Sequence, residues 1–390
     1  MAYFGVHFFV FLCASLWLNP ACLSAFSACF FVVSYMAYFD VLGLVWRVPP
    51  MNLRVSLWSP RAAVLYCAAM ELNLLERLCA LHSTPGDEGE VFEVLLTCWR
   101  EQGLDTRRLG AYAVVAEPGE RKKSDTILLV AHADSPGFIV EAVRSPTELS
   151  VLTLGGIHPA GGERVVLKCA AGKVMGTLQA PPEAWSRTMA LTVLLDVPCA
   201  AVAKGDRLCW EPVWRVEAGR VTSPFLDNRI GCALVAEWYA HHSALLAECN
   251  VVLAATAMEE VNGFGAKVLA REVAADAVIV LDVTYTSEKM GVAMDQGAVV
   301  TLSDNSVLLS PAVRDRLLAA PVPLQTEVYN YAGTDARAFP EAGWRAPVCP
   351  VLLATEGNHS PREVVSVADL AAWPKAVAAV ARALCAQSIG

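Results

Sequence analysis

Four short, almost unbroken apolar runs constrain this chain most: 126–131, 251–257, 277–281 and 348–354. None shows the polar/apolar alternation of a half-buried strand, so each fits a strand covered on both faces, as in a parallel sheet. Helical periodicity separates the later runs, over 228–244, 263–274 and 366–386. Strands alternating with helices predict an α/β fold with a largely parallel sheet. Upstream, 70–81 carries Leu72, Leu75, Leu78 and Leu81 at helical spacing, and Ser83-Thr84-Pro85-Gly86-Asp87 stops it. A second helix presents Val91, Phe92, Leu95, Leu96 and Trp99 on one face.

Residues 145–222 break this rhythm. They are rich in Gly, Pro, Val and Thr, with short runs at 164–168, 173–178 and 191–195. The segment predicts a small all-β insertion that interrupts the α/β domain, leaving 70–144 and 223–390 as its two parts. Strands of these two parts are expected in one sheet.

Composition excludes some classes. The chain is 55% hydrophobic and 18% charged, against about 25% charged in an ordinary soluble domain, so it is not a disordered protein. Its net charge is −9, and without a basic run there is no electrostatic basis for binding nucleic acid. The 13 cysteines are scattered and form no C-x-x-C pair. They read as reduced thiols used as small core residues, which suits a reducing, cytoplasmic setting.

The apolar excess concentrates at the N-terminus. Residues 1–46 hold a single charged side chain, Asp40, and the runs 1–18 and 21–38 each approach the roughly 17–25 residues that cross a bilayer. Two readings stand for residues 1–69: a membrane anchor or hairpin, which would make the protein membrane-tethered, or a start codon assigned upstream of the true one at Met70. A signal peptide lacks its positive leading region here.

Chemistry-bearing residues follow the buried runs. His132 and Asp134 come after the first, Glu259 and Glu260 after the second, Asp282 after the third and His359 after the fourth. Ligands of open α/β sheets bind beyond the carboxyl ends of the strands, so these side chains are expected on one rim. Asp227, just before a helix, joins them. A lone Asp there is an ordinary helix cap and a lone His an ordinary surface residue; their coincidence at every strand exit suggests a site. Two imidazoles with three or four carboxylates suit two divalent ions, zinc or cobalt and also manganese. Two such ions about 3.5–4 Å apart can share a water and lower its pKa. Of the adjacent Glu259 and Glu260, one can bind metal while the other serves as general base. The i, i+2 spacing of His132 and Asp134 lets the carboxylate accept from the second imidazole nitrogen. His82, His158, His241 and His242 lie on helices or in the insertion and read as ordinary packing or surface residues.

Six motifs in order carry a family resemblance: Ala131-His132-Ala133-Asp134-Ser135-Pro136-Gly137-Phe138, Leu226-Asp227-Asn228-Arg229-Ile230-Gly231, Glu259-Glu260-Val261, Leu281-Asp282-Val283-Thr284, Gly333-Thr334-Asp335-Ala336 and His359-Ser360-Pro361. From about Met70 onward the chain resembles the tetrahedral, or glutamyl (deblocking), aminopeptidases, a family of di-metal exopeptidases. The resemblance implies His132 and Asp282 on one metal, Glu260 and His359 on the other, Asp227 bridging them, Glu259 as general base and Asp134 orienting His132. It implies a three-layer α/β sandwich with a barrel-like insertion, assembly into dimers or dodecamers, short peptides as substrates and a cis peptide at Asp227-Asn228. Residues 1–69 have no counterpart in the family, which favours the misassigned start. Relatives labelled endoglucanase also exist.

The chain departs from the family pattern at Ser135, where Glu is usual, and at Glu356 and Gly357, where an Arg and an aromatic are common. These positions bear on substrate preference. The competing functions are a related di-zinc deacylase, carboxypeptidase or dipeptidase, a glycan hydrolase, and a non-catalytic, membrane-tethered binding protein.

Overall fold

The computed structural model describes residues 72–385; the apolar segment 1–69 and the two readings placed on it lie outside them. Helix α1 covers 72–79 and α2 covers Gly89–Glu101. Strands β1 (Asp105–Leu109), β2 (Ala113–Glu117) and β3 (Thr126–His132) follow. Six strands come next: β4 (Gly137–Ser145), β5 (Glu148–Leu154), β6 (Arg164–Cys169), β7 (Gly172–Leu178), β8 (Leu191–Leu195) and β9 (Arg207–Trp210). Then come β10 (Arg215–Glu217), β11 (Arg220–Ser223), α3 (Leu226–Glu237), β12 (Asn250–Thr256), α4 (Glu259–Asn262), α5 (Phe264–Glu272) and β13 (Ala277–Tyr285). The chain continues through β14 (Ala298–Ser303), α6 (Pro311–Leu318), β15 (Leu324–Val328), α7 (Ala338–Glu341), β16 (Val348–Glu356), β17 (Glu363–Ser366) and α8 (Val367–Cys385).

Strands β12, β3, β13 and β16 run parallel at the centre of an 11-stranded mixed sheet. Every residue of β3 and β12 is buried, which explains why these runs lack alternation: both faces are covered. Ile127, Leu129 and Ala131 of β3 pack with Leu95, Trp99, Ile230 and Trp373 from α2, α3 and α8. Leu128 and Val130 point the other way, onto Leu269 of α5 and Phe339 of α7. The result is a three-layer sandwich. Fully burying one such aliphatic side chain contributes about 1.5–3 kcal/mol. The helix face expected from Val91, Phe92, Leu95, Leu96 and Trp99 is the buried face of α2. Its Trp99 Nε1 donates to the Val235 carbonyl at 2.9 Å, locking α2 to α3. Gly231 lets α3 approach the sheet, since a Cβ there would lie 2.8 Å from the Ala131 Cβ.

The insertion is a closed barrel in the order β4-β5-β8-β7-β6-β9, with a core of its own around Phe138, Val151, Leu167, Leu208 and Trp210. Phe138 and Trp210 meet edge to face, centroids 5.0 Å apart. Its first strand starts at Gly137, ahead of the composition change at 145, because β4 opens with a buried run that reads as a continuation of the rim. Its last strand ends at Trp210. The β10–β11 hairpin pairs with β17 and so joins the main sheet instead of the barrel. Both ends of the barrel meet: Phe138 pairs with Leu208 between β4 and β9. Among the described residues no helix is long and apolar enough to cross a membrane.

Candidate metal centre

The expected rim exists. His132 closes β3 opposite Thr256, the last residue of β12. Beyond Thr256 the chain turns through Met258, in the left-handed region at φ 61°, and enters α4 with Glu259 and Glu260. Asp282 lies within β13 instead of beyond it, and its Oδ1 accepts from the Val283 amide at 2.8 Å. His359, φ 63°, follows β16. Asp227 and Asn228 leave helical dihedrals, with ψ 103° and 44°, and the bond between them is cis. Phe225 before them is left-handed at φ 71°. Such left-handed non-glycine residues cost about 1–2 kcal/mol each, and three of them adjoin or carry the candidate ligands.

The side chains converge. His132 Nε2 lies 3.1 Å from Asp227 Oδ1 and 3.3 Å from Asp282 Oδ1. His359 Nε2 lies 3.2 Å from Asp227 Oδ2 and 3.4 Å from Glu260 Oε1. Asp227 therefore offers one oxygen to each imidazole. Donor atoms of His132, Asp227 and Asp282, those of Asp227, Glu260 and His359, and those of His132, Glu259 and Glu260 lie within 4.8 Å of one another in each group. Asp227 Oδ1 and Glu260 Oε1 are buried without a hydrogen-bond partner among protein atoms. Oxygens in that condition are costly unless a cation or donor meets them.

Electrostatics agree. Burial pushes Glu260 up to about 8 and raises Glu259 well above the usual carboxylate range, with Asp335 and Asp282 adding to the latter. Burial also raises Asp282, and lifts Asp335 to about 7. Burial opposes charging of both imidazoles, but Asp282 beside His132 and Glu260 beside His359 outweigh it, raising the first well above its usual value and the second to about 10. Asp227 resists the same burial because His132 and His359 hold it below the usual range. So many carboxylates in one buried rim leave it short of positive charge, which is the condition a divalent cation relieves.

Asp134 faces His132 Nδ1 with both its carbonyl and its carboxylate. His132 Nδ1 has the Asp134 carbonyl at 3.1 Å, while the nearer carboxylate oxygen stands at 3.6 Å. The carboxylate also accepts the Glu259 and Glu260 amides, at 3.0 and 3.1 Å. Ser135 is not idle: its hydroxyl donates to the Asp227 carbonyl at 2.6 Å and accepts from Arg229 at 3.2 Å. Glu356 lines an open cleft with Arg220, Thr286 and Met294.

Two participants escaped sequence reasoning. Glu363, 2% exposed, accepts the Asp227 amide at 2.8 Å and the His359 amide at 2.9 Å, tying together two candidate ligands. It stands four residues after His359, and this spacing was its only signal. Arg229, fully buried, donates to the Ala133 carbonyl at 2.6 Å and steadies the turn after His132. The barrel brings its backbone close to the site: a Cβ on Gly156 would lie 2.7 Å from His359 Nδ1, and one on Gly155 would lie 3.3 Å from Glu260 Oε2.

The M42 glutamyl aminopeptidase family matches residues 112–190 and 196–375. A putative aminopeptidase of Acetivibrio thermocellus is 26% identical over 322 residues, covering 76% of this chain and 94% of the relative. The glutamyl aminopeptidase of Lactococcus lactis is 24% identical over 334 residues, covering 77% and 93%. Among solved structures, a TET aminopeptidase from a marine-sediment Thaumarchaeota archaeon superposes with TM-score 0.74 at 21% identity, over 80% of this chain and 96% of that one. The Pyrococcus horikoshii TET1 peptidase, described as assembling into a tetrahedron or a large octahedral shell, superposes with TM-score 0.69 at 22% identity, over 79% and 99%. These matches make the protein a peptidase, a hydrolase of the aminopeptidase kind. The chain belongs to the M42 glutamyl aminopeptidase family.

Proposed function

We propose that the protein is a two-metal aminopeptidase that removes N-terminal residues from short peptides. His132 and Asp282 would hold one ion, Glu260 and His359 the other, with Asp227 shared. The observation that carries this reading is Asp227 itself, whose two oxygens face different imidazoles while Oδ1 has no hydrogen-bond partner. The nitrogen and oxygen donor set suits zinc or cobalt, with manganese also accommodated. Bound ions would supply Lewis acidity and an activated water.

The remaining work falls to this chain's own groups. Glu259, adjacent to the ligand Glu260 but needed by neither Asp227-centred cluster, takes the proton from the attacking water and returns it to the leaving amine. Asp134 fixes both glutamates through their amides, and Glu363 fixes Asp227 and His359 the same way. His132 is oriented through the Asp134 carbonyl.

Self-association into a dimer or dodecamer is part of the proposal, supported by the shells that the Pyrococcus horikoshii relative forms. A cytoplasmic location is proposed from the scattered cysteines, of which Cys79, Cys209, Cys232 and Cys349 are buried free thiols.

The test is release of a fluorogenic amine from aminoacyl amides, with acylated amino acids and a β-glucan in parallel. Activity should require a free α-amine, vanish after prolonged chelation and return with Zn²⁺ or Co²⁺. Full activity in excess chelator refutes the metal assignment. Turnover of only the acylated amino acids or the glucan favours a deacylase or glycan hydrolase.

A further inference from the structure

Three consecutive amides, those of Met258, Glu259 and Glu260, are all held by carboxylates from elsewhere in the chain. Asp134 takes the second and third. The first belongs to Glu88, whose Oε1 accepts the Met258 amide at 3.1 Å across 170 residues of sequence. The same oxygen accepts the Gly86 amide at 2.7 Å. Glu88 is 3% exposed and immediately precedes α2.

The loop that carries Glu88 is well anchored. The Ser135 amide donates to the Ser83 carbonyl at 2.9 Å, and Ser83 Oγ donates to the Ala133 carbonyl at 2.6 Å. Lys168 of the barrel reaches Asp87 at 2.9 Å, and Arg207 Nε reaches the Pro85 carbonyl at 3.2 Å. Glu88 is thus fixed relative to both the His132 strand exit and the barrel. A buried carboxylate so close to Asp134 that the two charges repel is unfavourable. A neutral residue would serve simple packing better, so the position calls for a specific acceptor. The acceptor is needed at Met258, the left-handed residue whose turn sets the direction of Glu259.

We propose that Glu88 is a positioning residue for the general base: by holding the Met258 amide it sustains the left-handed turn that aims the Glu259 carboxylate into the rim. This rests on reading Glu259 as the base. Without the Glu88 acceptor, Met258 is free to return to negative φ, and Asp134 alone is left to hold the Glu259 amide, so the Glu259 carboxylate is aimed less precisely. Glu260 remains clasped through Asp134, so metal binding persists while proton transfer suffers.

The experiment compares Glu88→Ala, Glu88→Asp and Glu88→Gln in the full chain, with metal content by elemental analysis beside steady-state kinetics. Glu88→Ala and the shortened Glu88→Asp should lower kcat roughly 10–100-fold, the usual effect of removing a group that orients a site residue. KM should stay within about two-fold, as expected when only a transition-state contribution is lost. Glu88→Gln, which keeps an acceptor oxygen at the same reach, should restore most of kcat. Combining Glu88→Ala with Glu259→Gln should cost no more than Glu259→Gln alone, because both act through one proton transfer. If Glu88→Asp keeps full kcat, or loses metal along with activity, the proposal is overturned. Should Glu88→Ala fail to fold, Glu88→Asp against Glu88→Gln still decides it. An active Glu259→Gln enzyme would overturn the base assignment itself, whereas an inactive one with fully active Glu88 variants would overturn only the role of Glu88.

Discussion

The rim of the main sheet and the barrel inserted into it use their residues in opposite ways. At the rim, side chains carry the chemistry and backbone amides serve to orient them: Asp134 and Glu363 each bind two amides of the segments bearing candidate ligands. In the barrel, side chains fill a private core, Lys168 and Arg207 brace the loop ahead of α2, and bare backbone at Gly155 and Gly156 stands against Glu260 and His359. The contrast teaches that charge is concentrated where parallel strands end, while the insertion supplies shape. It also says where substitutions should hurt.

The largest effects belong to the paired glutamates. Glu259→Gln should lower kcat by about 10²–10⁴-fold, since the amide cannot accept the proton, with metal content near normal. Glu260→Gln should lose metal as well as activity, because an uncharged ligand holds a divalent ion more weakly. Elemental analysis beside kinetics separates them, and the reverse pattern would exchange the two assignments. If neither variant loses activity, chemistry does not reside at this rim.

Glu363→Gln comes next. It keeps one of the two oxygens that accept the Asp227 and His359 amides and turns an NH2 towards the other, and roughly a 10–100-fold loss in metal affinity is expected. Competition with a metal indicator dye reads it. Wild-type affinity would mean that the amides are held well enough by a neutral group.

Gly156→Val asks whether the barrel's contribution is truly one of shape. Its Cβ would begin 2.7 Å from His359 Nδ1, so activity should fall by about ten-fold or more through a displaced ligand, with the melting temperature nearly unchanged. An active Gly156→Val enzyme would show that the roof yields easily.

At the small end stands Trp210→Ala. Truncating this buried ring should cost about 3–5 kcal/mol of stability, measured by denaturant titration, yet the folded fraction should keep kcat within about two-fold. A large loss of kcat per folded molecule would erase the division between rim and barrel. Smallest of all, a chain starting at Met70 should match the full-length protein in kcat and solubility; aggregation of the shorter chain alone would favour the anchor reading of the first 46 residues.

Much of this was legible in the amino-acid order. The runs at 126–131 and 251–257 mark β3 and β12 because a strand covered on both faces has no reason to alternate. The convergence of His132, Asp227, Glu259, Glu260, Asp282 and His359 follows from parallel strands sharing one exit side. Glu88 and Glu363 were not legible, because each acts on a backbone amide, and amides leave no mark in the side-chain pattern. For Asp134, i, i+2 spacing says that its carboxylate shares a side with His132, where it stands 3.6 Å from Nδ1, but not that it also holds two amides. The hairpin β10–β11 was placed with the insertion since strand composition is alike in both, and only pairing with β17 assigns it to the main sheet. Strand β15 left no separate signal, since Leu324–Val328 has no continuous apolar run, whereas β14, Ala298–Ser303, does carry a short buried apolar run.

The pairing of Phe138 with Leu208 has a consequence for ancestry and engineering. The chain leaves the rim just after Asp134 and re-enters the main sheet just ahead of Asp227, and the excursion between them starts and finishes on two hydrogen-bonded neighbours. Its length is therefore invisible to the residues on either side, as with any module inserted through adjacent ends. The barrel behaves as a cassette: it can be enlarged, trimmed or exchanged for another fold with closely spaced ends, and the spacing between His132 and Asp227 in space will be preserved. What such an exchange alters is the backbone roof over His359, and so the size of what can reach it, together with the Lys168 and Arg207 contacts that brace the loop carrying Glu88.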